Sequence, residues 1–172
     1  MKYYIMSQDK RMQHHIQFRE FPGEKITEVG TDMTEKIKKN LTLHVKDDGH
    51  TVFTEVVEAP FFMVSDKVAK VIGMFEPDIE FSTIIFQTKH QEEVCVYKIV
   101  PLDRMECLHK NTEFHKDKSL KELVLDKEKI RGKHIFKIAG ISPHYVVVSM
   151  AIAESILRRN CEGIEFTEVK IV

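Results

Sequence analysis

A stretch of this chain occurs twice. Phe61-Phe-Met-Val-Ser-Asp-Lys-Val-Ala-Lys-Val-Ile72 aligns with Tyr145-Val-Val-Val-Ser-Met-Ala-Ile-Ala-Glu-Ser-Ile156. Val64/Val148, Ser65/Ser149, Ala69/Ala153 and Ile72/Ile156 are identical, each pair 84 residues apart. After one inserted residue, Ile79-Glu-Phe81 matches Ile164-Glu-Phe166 at a spacing of 85. Each copy reads as an apolar strand, a serine where a helix N-cap belongs, an amphipathic helix and a second strand. A helix with one apolar face must lay it on a sheet, and the flanking strands supply one. The expected fold is therefore α+β, with mixed or antiparallel sheets and two similar strand–helix–strand units. The spacing is about half of the 172 residues. It predicts a single domain over 1–172, built as one body or as two lobes of about 1–90 and 91–172. A fainter echo, Tyr4…Arg11-Met12 against Tyr97…Arg104-Met105, extends the repeat toward the start of each half.

Around the repeats the pattern predicts a first strand over 2–6 and a short helix over 32–40, where Met33 and Ile37 sit one turn apart. Leu41–Val45 and Thr51–Val57 both alternate, and Asp47-Asp48-Gly49 between them predicts a β-hairpin. Strands are expected over 79–86 and over 94–100, the latter stopped by Pro101. Two more are expected over 121–125 and 134–138, around a charged turn at Gly132. A strand over 145–148 precedes the helix begun by Ser149, and the last strand covers 164–171. Pro77 should end the first repeat helix. Arg158-Arg159 suit the negative end of the second.

Composition narrows the class. Apolar residues at 42% and charged residues at 31% exclude wholesale disorder. The net charge of −1 lacks the basic excess of a chain that lives on nucleic acid or an anionic membrane. Residues 116–137 do hold eight basic groups, but Asp117, Glu122, Asp126 and Glu128 are interspersed, so the stretch reads as a solvated hairpin. Three scattered cysteines, Cys95, Cys107 and Cys161, argue against a disulfide framework and for a reducing compartment. The N-terminal apolar stretch is too short for a signal peptide, and Ala59–Val64, the longest apolar run, is too short for a membrane span. The reading is of a soluble, cytoplasmic protein.

No catalytic signature emerges. Gly-x-Ser-x-Gly, Gly-x-Gly-x-x-Gly and the Walker loop are all missing. Ser65 and Ser149 recur, but their positions explain them as caps. Nine histidines raise the question of a metal. The densest group, Cys107-x-His109-x5-His115, has zinc-ligand types without a second Cys-x-x-Cys or a His-Glu-x-x-His helix, and reads as a solvated polar loop. His14-His15 are adjacent and point apart. His44 and His50 are expected to meet across the hairpin. Glu92-Glu93 and Asp47-Asp48 read as turn carboxylates. No catalytic residue, metal ligand or cofactor is assigned. If a binding site exists it is placed at His109, Glu113 and His115.

Val96-Tyr-Lys-Ile-Val-Pro101, Arg104-Met-Glu-Cys-Leu108, Leu123-Val-Leu125, Ile135-Phe136, Val147-Val-Ser149 before a helix, and Glu162-Gly-Ile-Glu-Phe166 form a recognisable series. Over 94–169 it resembles the C-terminal part of immunity protein family eleven of bacterial polymorphic toxin systems, formerly a domain of unknown function. Pro60-Phe-Phe-Met-Val-Ser65 and Ile79-Glu-Phe81 resemble the earlier part. The resemblance implies a small cytoplasmic, non-enzymatic protein that binds and neutralises a cognate toxin domain encoded nearby; the charge balance and short apolar runs argue against a membrane or nucleic-acid partner. The alternative is a small enzyme or ligand-binding protein with a site between the two repeats.

Overall fold

A computed structural model describes residues 1–12, 16–18, 41–46, 51–59, 61–87 and 94–172. The chain divides into two compact units. The N-terminal unit is Gln8–Pro101 with Cys161–Ile164, and the C-terminal unit is Met1–Ser7, Leu102–Asn160 and Glu165–Val172.

The N-terminal unit holds a six-stranded sheet. Its order is β2 (Gln17–Phe18), β3 (Leu41–Lys46), β6 (Ser82–Gln87), β7 (Cys95–Ile99), β5 (Met63–Ser65) and β4 (Val56–Val57). On β3, Leu43 and Val45 are buried while Thr42 and His44 are exposed, the alternation of a strand with one face in a core. Leu43, Met63, Ile84, Phe86, Tyr97 and Ile99 form that core. Helix α1 (Asp66–Phe75) starts where the Ser65 hydroxyl accepts the amide of Val68 at 3.3 Å. It buries Val68, Ala69, Val71 and Ile72 and stops at Glu76, one residue before Pro77. Each of its buried Val and Ile side chains stabilises the fold by ~1.5–3 kcal/mol through area removed from water.

The C-terminal unit holds a second six-stranded sheet. Its order is β11 (Val124–Leu125), β14 (Ile164–Ile171), β1 (Tyr3–Gln8), β13 (Val146–Ser149), β12 (Ile135–Ile138) and β8 (Arg104–Met105). Helix α2 (Met150–Leu157) begins at Ser149 and buries Ile152, Ala153 and Ile156. Tyr3, Cys107, Leu125, Phe136, Ile138 and Val147 belong to the core of this sheet. A separate two-stranded ribbon joins β9 (Glu113–Phe114) to β10 (Leu120–Glu122).

The sheets share a layout around their helices. In each, the strand before the helix lies between an antiparallel edge-side neighbour (β4 beside β5, β12 beside β13) and an antiparallel inner strand (β7, β1). The strand after each helix takes the other side of that inner strand and pairs in parallel with one more (β6 with β3, β14 with β11). The inner strands are the first strands of the two chain halves, and each sits in the sheet of the other half.

Three expectations need correction. The hairpin of 41–45 with 51–57 does not form: β3 pairs with β2 and β6, and β4 lies at the far edge of the sheet against β5. His44 is accordingly opposite Gln87. The segments 121–125 and 134–138 are not partners either, since β11 joins β14 and β12 lies between β13 and β8. Both errors come from pairing neighbours in sequence where the sheets pair residues far apart. The tyrosine echo is off by one: Tyr3 faces Ser149 as Tyr97 faces Ser65, so Tyr3 rather than Tyr4 is the counterpart. The expected helix over 32–40, the turn 47–49, His14-His15, His50 and Glu92-Glu93 lie outside the described residues. Among the described residues, no helix is long and apolar enough to cross a membrane.

Candidate functional site

The ribbon of the C-terminal unit carries all three residues singled out from the sequence. Its base is fastened to β11: the His109 amide donates to the Val124 carbonyl at 2.9 Å, and the Thr112 hydroxyl donates to the same carbonyl at 2.8 Å. His109 Nδ1 accepts the Asn111 amide at 3.3 Å and the Thr112 amide donates to the His109 carbonyl at 2.9 Å, which turns the chain outward. Phe114 then faces Leu120 across an antiparallel pair, and Glu113 faces Glu122 beyond an irregularity in the register.

The tip is a short, internally bonded loop. The His115 amide donates to the Ser119 carbonyl at 2.8 Å, and the Lys118 amide to the His115 carbonyl at 3.0 Å. Asp117 accepts from the Ser119 amide and hydroxyl at 3.0 and 2.6 Å. That Asx turn leaves Lys118 at φ 66°, in the left-handed region. Lys121 Nζ reaches Glu113 at 2.6 Å, and Lys170 Nζ on β14 reaches Glu122 at 3.0 Å. Both partners' hydrogen bonds hold the Glu113 carboxyl below its usual range and the Lys121 ammonium above its own. The Asp117 carboxyl is also held low, by the Ser119 hydroxyl first.

Glu113 and His115 therefore share one ribbon, with His109 at its base, but they form no ligand set. His109 and His115 belong to opposite ends of the ribbon. Cys107 points away into the core, fully buried, and burial pushes its thiol up to about 11. Among the described residues no three His, Cys, Asp or Glu side chains gather closely enough to hold a metal ion. The residue the sequence reading passed over is Phe114. It is 45% exposed on a bonded ribbon beside His115, Lys116 and Lys118. An aromatic inside a charged stretch was the signal available, and it lies just outside the 116–137 window. A large apolar side chain on a preorganised arm, in a stretch that also carries Lys116 and Lys118, is suited to bind another protein.

The serines resolve as caps with different partners. Ser65 donates to the Glu55 carboxylate, which Lys67 Nζ also approaches at 3.6 Å. Ser149 lies 3.1 Å from His134 Nδ1 and accepts the Ile152 amide at 3.5 Å. A serine beside a histidine has the composition of a nucleophile and base. Here the Ser149 side chain is fully buried at the start of α2, and the hydroxyl serves the helix.

No curated protein matches the chain. A family model does match, over residues 2–171. The chain belongs to the immunity protein family Imm11.

Proposed function

We propose that this chain is a cytoplasmic immunity protein that binds a toxin domain encoded beside it and suppresses it stoichiometrically, without turnover. The observation that carries this reading is membership of the immunity family over nearly the whole chain. The ribbon supports it: His109, Glu113 and His115 lie on an arm whose exposed Phe114 offers an anchor for a protein partner. A standard interface buries ~800 Å² per partner, and the chain's 10,823 Å² of surface has room for it. Titration of the toxin domain with this protein tests the reading. Activity is expected to fall linearly and vanish near a simple fixed ratio. Inactivation by catalytic amounts, or no complex at micromolar concentrations, overturns it.

We also infer that the architecture arose by duplication, with the first strands exchanged between the halves. Three paired contacts support this. Tyr3 and Tyr97 occupy equivalent registers opposite the capping serines. Both phenols donate to backbone carbonyls just before the edge-side strand, Tyr97 to Thr54, and Tyr3 with its one proton shared between Ile130 and Lys133. The amides of Ser65 and Ser149 donate to the carbonyls of Glu55 and His134, the residues immediately preceding β4 and β12.

A further inference from the structure

At the edge of the C-terminal sheet three basic groups meet with no carboxylate among them. β8 and β12 run parallel with Arg104 opposite Lys137, so both side chains stand on the same face. The backbone fixes this register through the Lys137 amide donating to the Asp103 carbonyl and the Ala139 amide to the Met105 carbonyl, each at 2.9 Å. The loop from β12 to β13 brings His144 beside them, with Nε2 3.5 Å from Arg104 Nη2. Arg104 and His144 are exposed, and Lys137 is half-buried. Among the described residues, none of the three makes an ion pair with an acid, although elsewhere lysines and arginines do so repeatedly.

The cluster disfavours its own positive charges. Burial, then the Arg104 charge, holds the Lys137 ammonium below its ordinary range. Burial and the charges of Arg104 and Lys137 do the same to His144. Folded chains normally place a carboxylate in such a gap. Among the described residues no carboxylate fills it, which leaves the group open to an anion from a partner.

We infer that Arg104, Lys137 and His144 form a docking site for an acidic side chain of a protein partner. Arg104 offers a planar fork suited to two carboxylate oxygens, Lys137 a point charge from the sheet side, and His144 a ring that lines the rim beside Arg104. The grouping is compact. A nucleic-acid strand needs a track of cations along successive phosphates with stacking aromatics, and this cluster has neither. The inference rests on the immunity reading, which names the partner as the neighbouring toxin domain.

The test is calorimetric binding of the full chain to that toxin domain at low and high salt. Arg104→Glu is expected to weaken binding by roughly 10–100-fold and Lys137→Met by several-fold, both with a shallower salt dependence, whereas Arg104→Lys stays closer to wild type. Because each of the first two variants removes a repelled cation, thermal midpoints are expected to stay level or rise. Wild-type binding with all variants within about two-fold of it overturns the docking site and leaves the immunity reading standing. No wild-type binding overturns both. A marked fall in thermal midpoint for Lys137→Met assigns the cluster to the fold and overturns the inference. Saturable binding of a short single-stranded oligonucleotide, lost in the same variants, overturns it in favour of a nucleic-acid partner.

Discussion

The N-terminal and C-terminal units build the same junction with different side chains. In both, a strand ends in a serine that caps the following helix, and a buried tyrosine stands opposite it. In the N-terminal unit the serine hydroxyl is tied to Glu55, and Tyr97 Oη donates to one carbonyl, that of Thr54, at 2.5 Å. In the C-terminal unit the serine meets His134, and Tyr3 Oη lies 3.0 and 2.9 Å from two carbonyls. The backbone pattern is kept while the cap partner changes from an acid to an imidazole. The demand that persists is geometric: helix amides and strand-end carbonyls must be satisfied once buried. Which side chain meets it is free to drift.

The largest effect expected is from truncating the tyrosines. Tyr3→Ala and Tyr97→Ala should each cost ~3–5 kcal/mol in urea denaturation, as for other large buried rings. The sharper comparison uses phenylalanine. Removing a hydroxyl that serves a buried carbonyl costs ~1–3 kcal/mol, and Tyr97→Phe should cost more than Tyr3→Phe: it takes the donor from the buried Thr54 carbonyl, whereas the Ile130 carbonyl keeps the Lys133 amide and Lys133 is exposed. A neutral Tyr97→Phe, or a costlier Tyr3→Phe, would overturn this account of the two junctions.

The helices end differently, and that difference can be probed at Gly163. α1 runs out at Glu76-Pro77, whereas the chain after α2 passes through Asn160 at φ 50° and Gly163 at φ 71°. A Cβ on Gly163 would meet Thr54 Cγ2 at 2.6 Å and Thr54 Cβ at 2.8 Å. Gly140 has a similar φ of 79° with open space around it. Gly163→Ala should therefore cost roughly 2–4 kcal/mol, adding overpacking to backbone strain, and Gly140→Ala only about 1. The crowded atoms belong to the residue whose carbonyl Tyr97 uses. Gly163→Ala combined with Tyr97→Phe should thus be non-additive in a double-mutant cycle.

Alkali should separate the two junctions. Burial raises the phenols of Tyr3 and Tyr97 and pushes the Cys107 thiol from 9.0 up to about 11. The folded protein holds these protons while the unfolded chain releases them. Their contribution is present at neutral pH and is lost as pH rises above the unfolded values. Loss begins near pH 9 with Cys107, so the C-terminal unit should loosen before the N-terminal one. By pH 11 the thiol's share should reach roughly 2–3 kcal/mol. Urea midpoints at pH 8 and 10.5 for wild type and Cys107→Ala measure it. An identical pH slope in the variant would remove the thiol from the account.

Local chemistry was legible in the sequence and distant pairing was not. Ser65, Ser149 and Pro77 announce the helix ends because caps and breakers act within a turn. The α+β class followed from the flanking strands. β3 beside β6, and β1 inside the sheet of the opposite half, join residues about 40 or more than 140 positions apart, beyond any local pattern. The tyrosine echo slipped by one residue, which in a strand means the opposite face. At the site, His109, Glu113 and His115 were placed in one segment, but the ribbon shape depends on Thr112 and Asp117 bonds that spacing does not reveal. The Arg104, Lys137 and His144 group is not visible in the sequence because β8 and the distant β12 with its following loop supply it.

The smallest effect tests the caps themselves. Ser65→Ala and Ser149→Ala each remove a side-chain oxygen that accepts a helix amide, a change that costs about 1 kcal/mol. The surroundings push the two values apart. Ser65 is partly open, so water can replace its hydroxyl for both the Val68 amide and Glu55. Ser149 is fully buried, so its loss leaves the Ile152 amide and a ring nitrogen of His134 without that oxygen in a place water does not reach. Ser149→Ala should therefore be the costlier of the two, and Ser149→Thr, which keeps the oxygen but adds a methyl to a filled core, should not fully rescue it. Denaturation midpoints of the three variants decide the order. A larger cost at Ser65 would mean that the Glu55 and Lys67 cluster, rather than burial, sets the strength of these junctions.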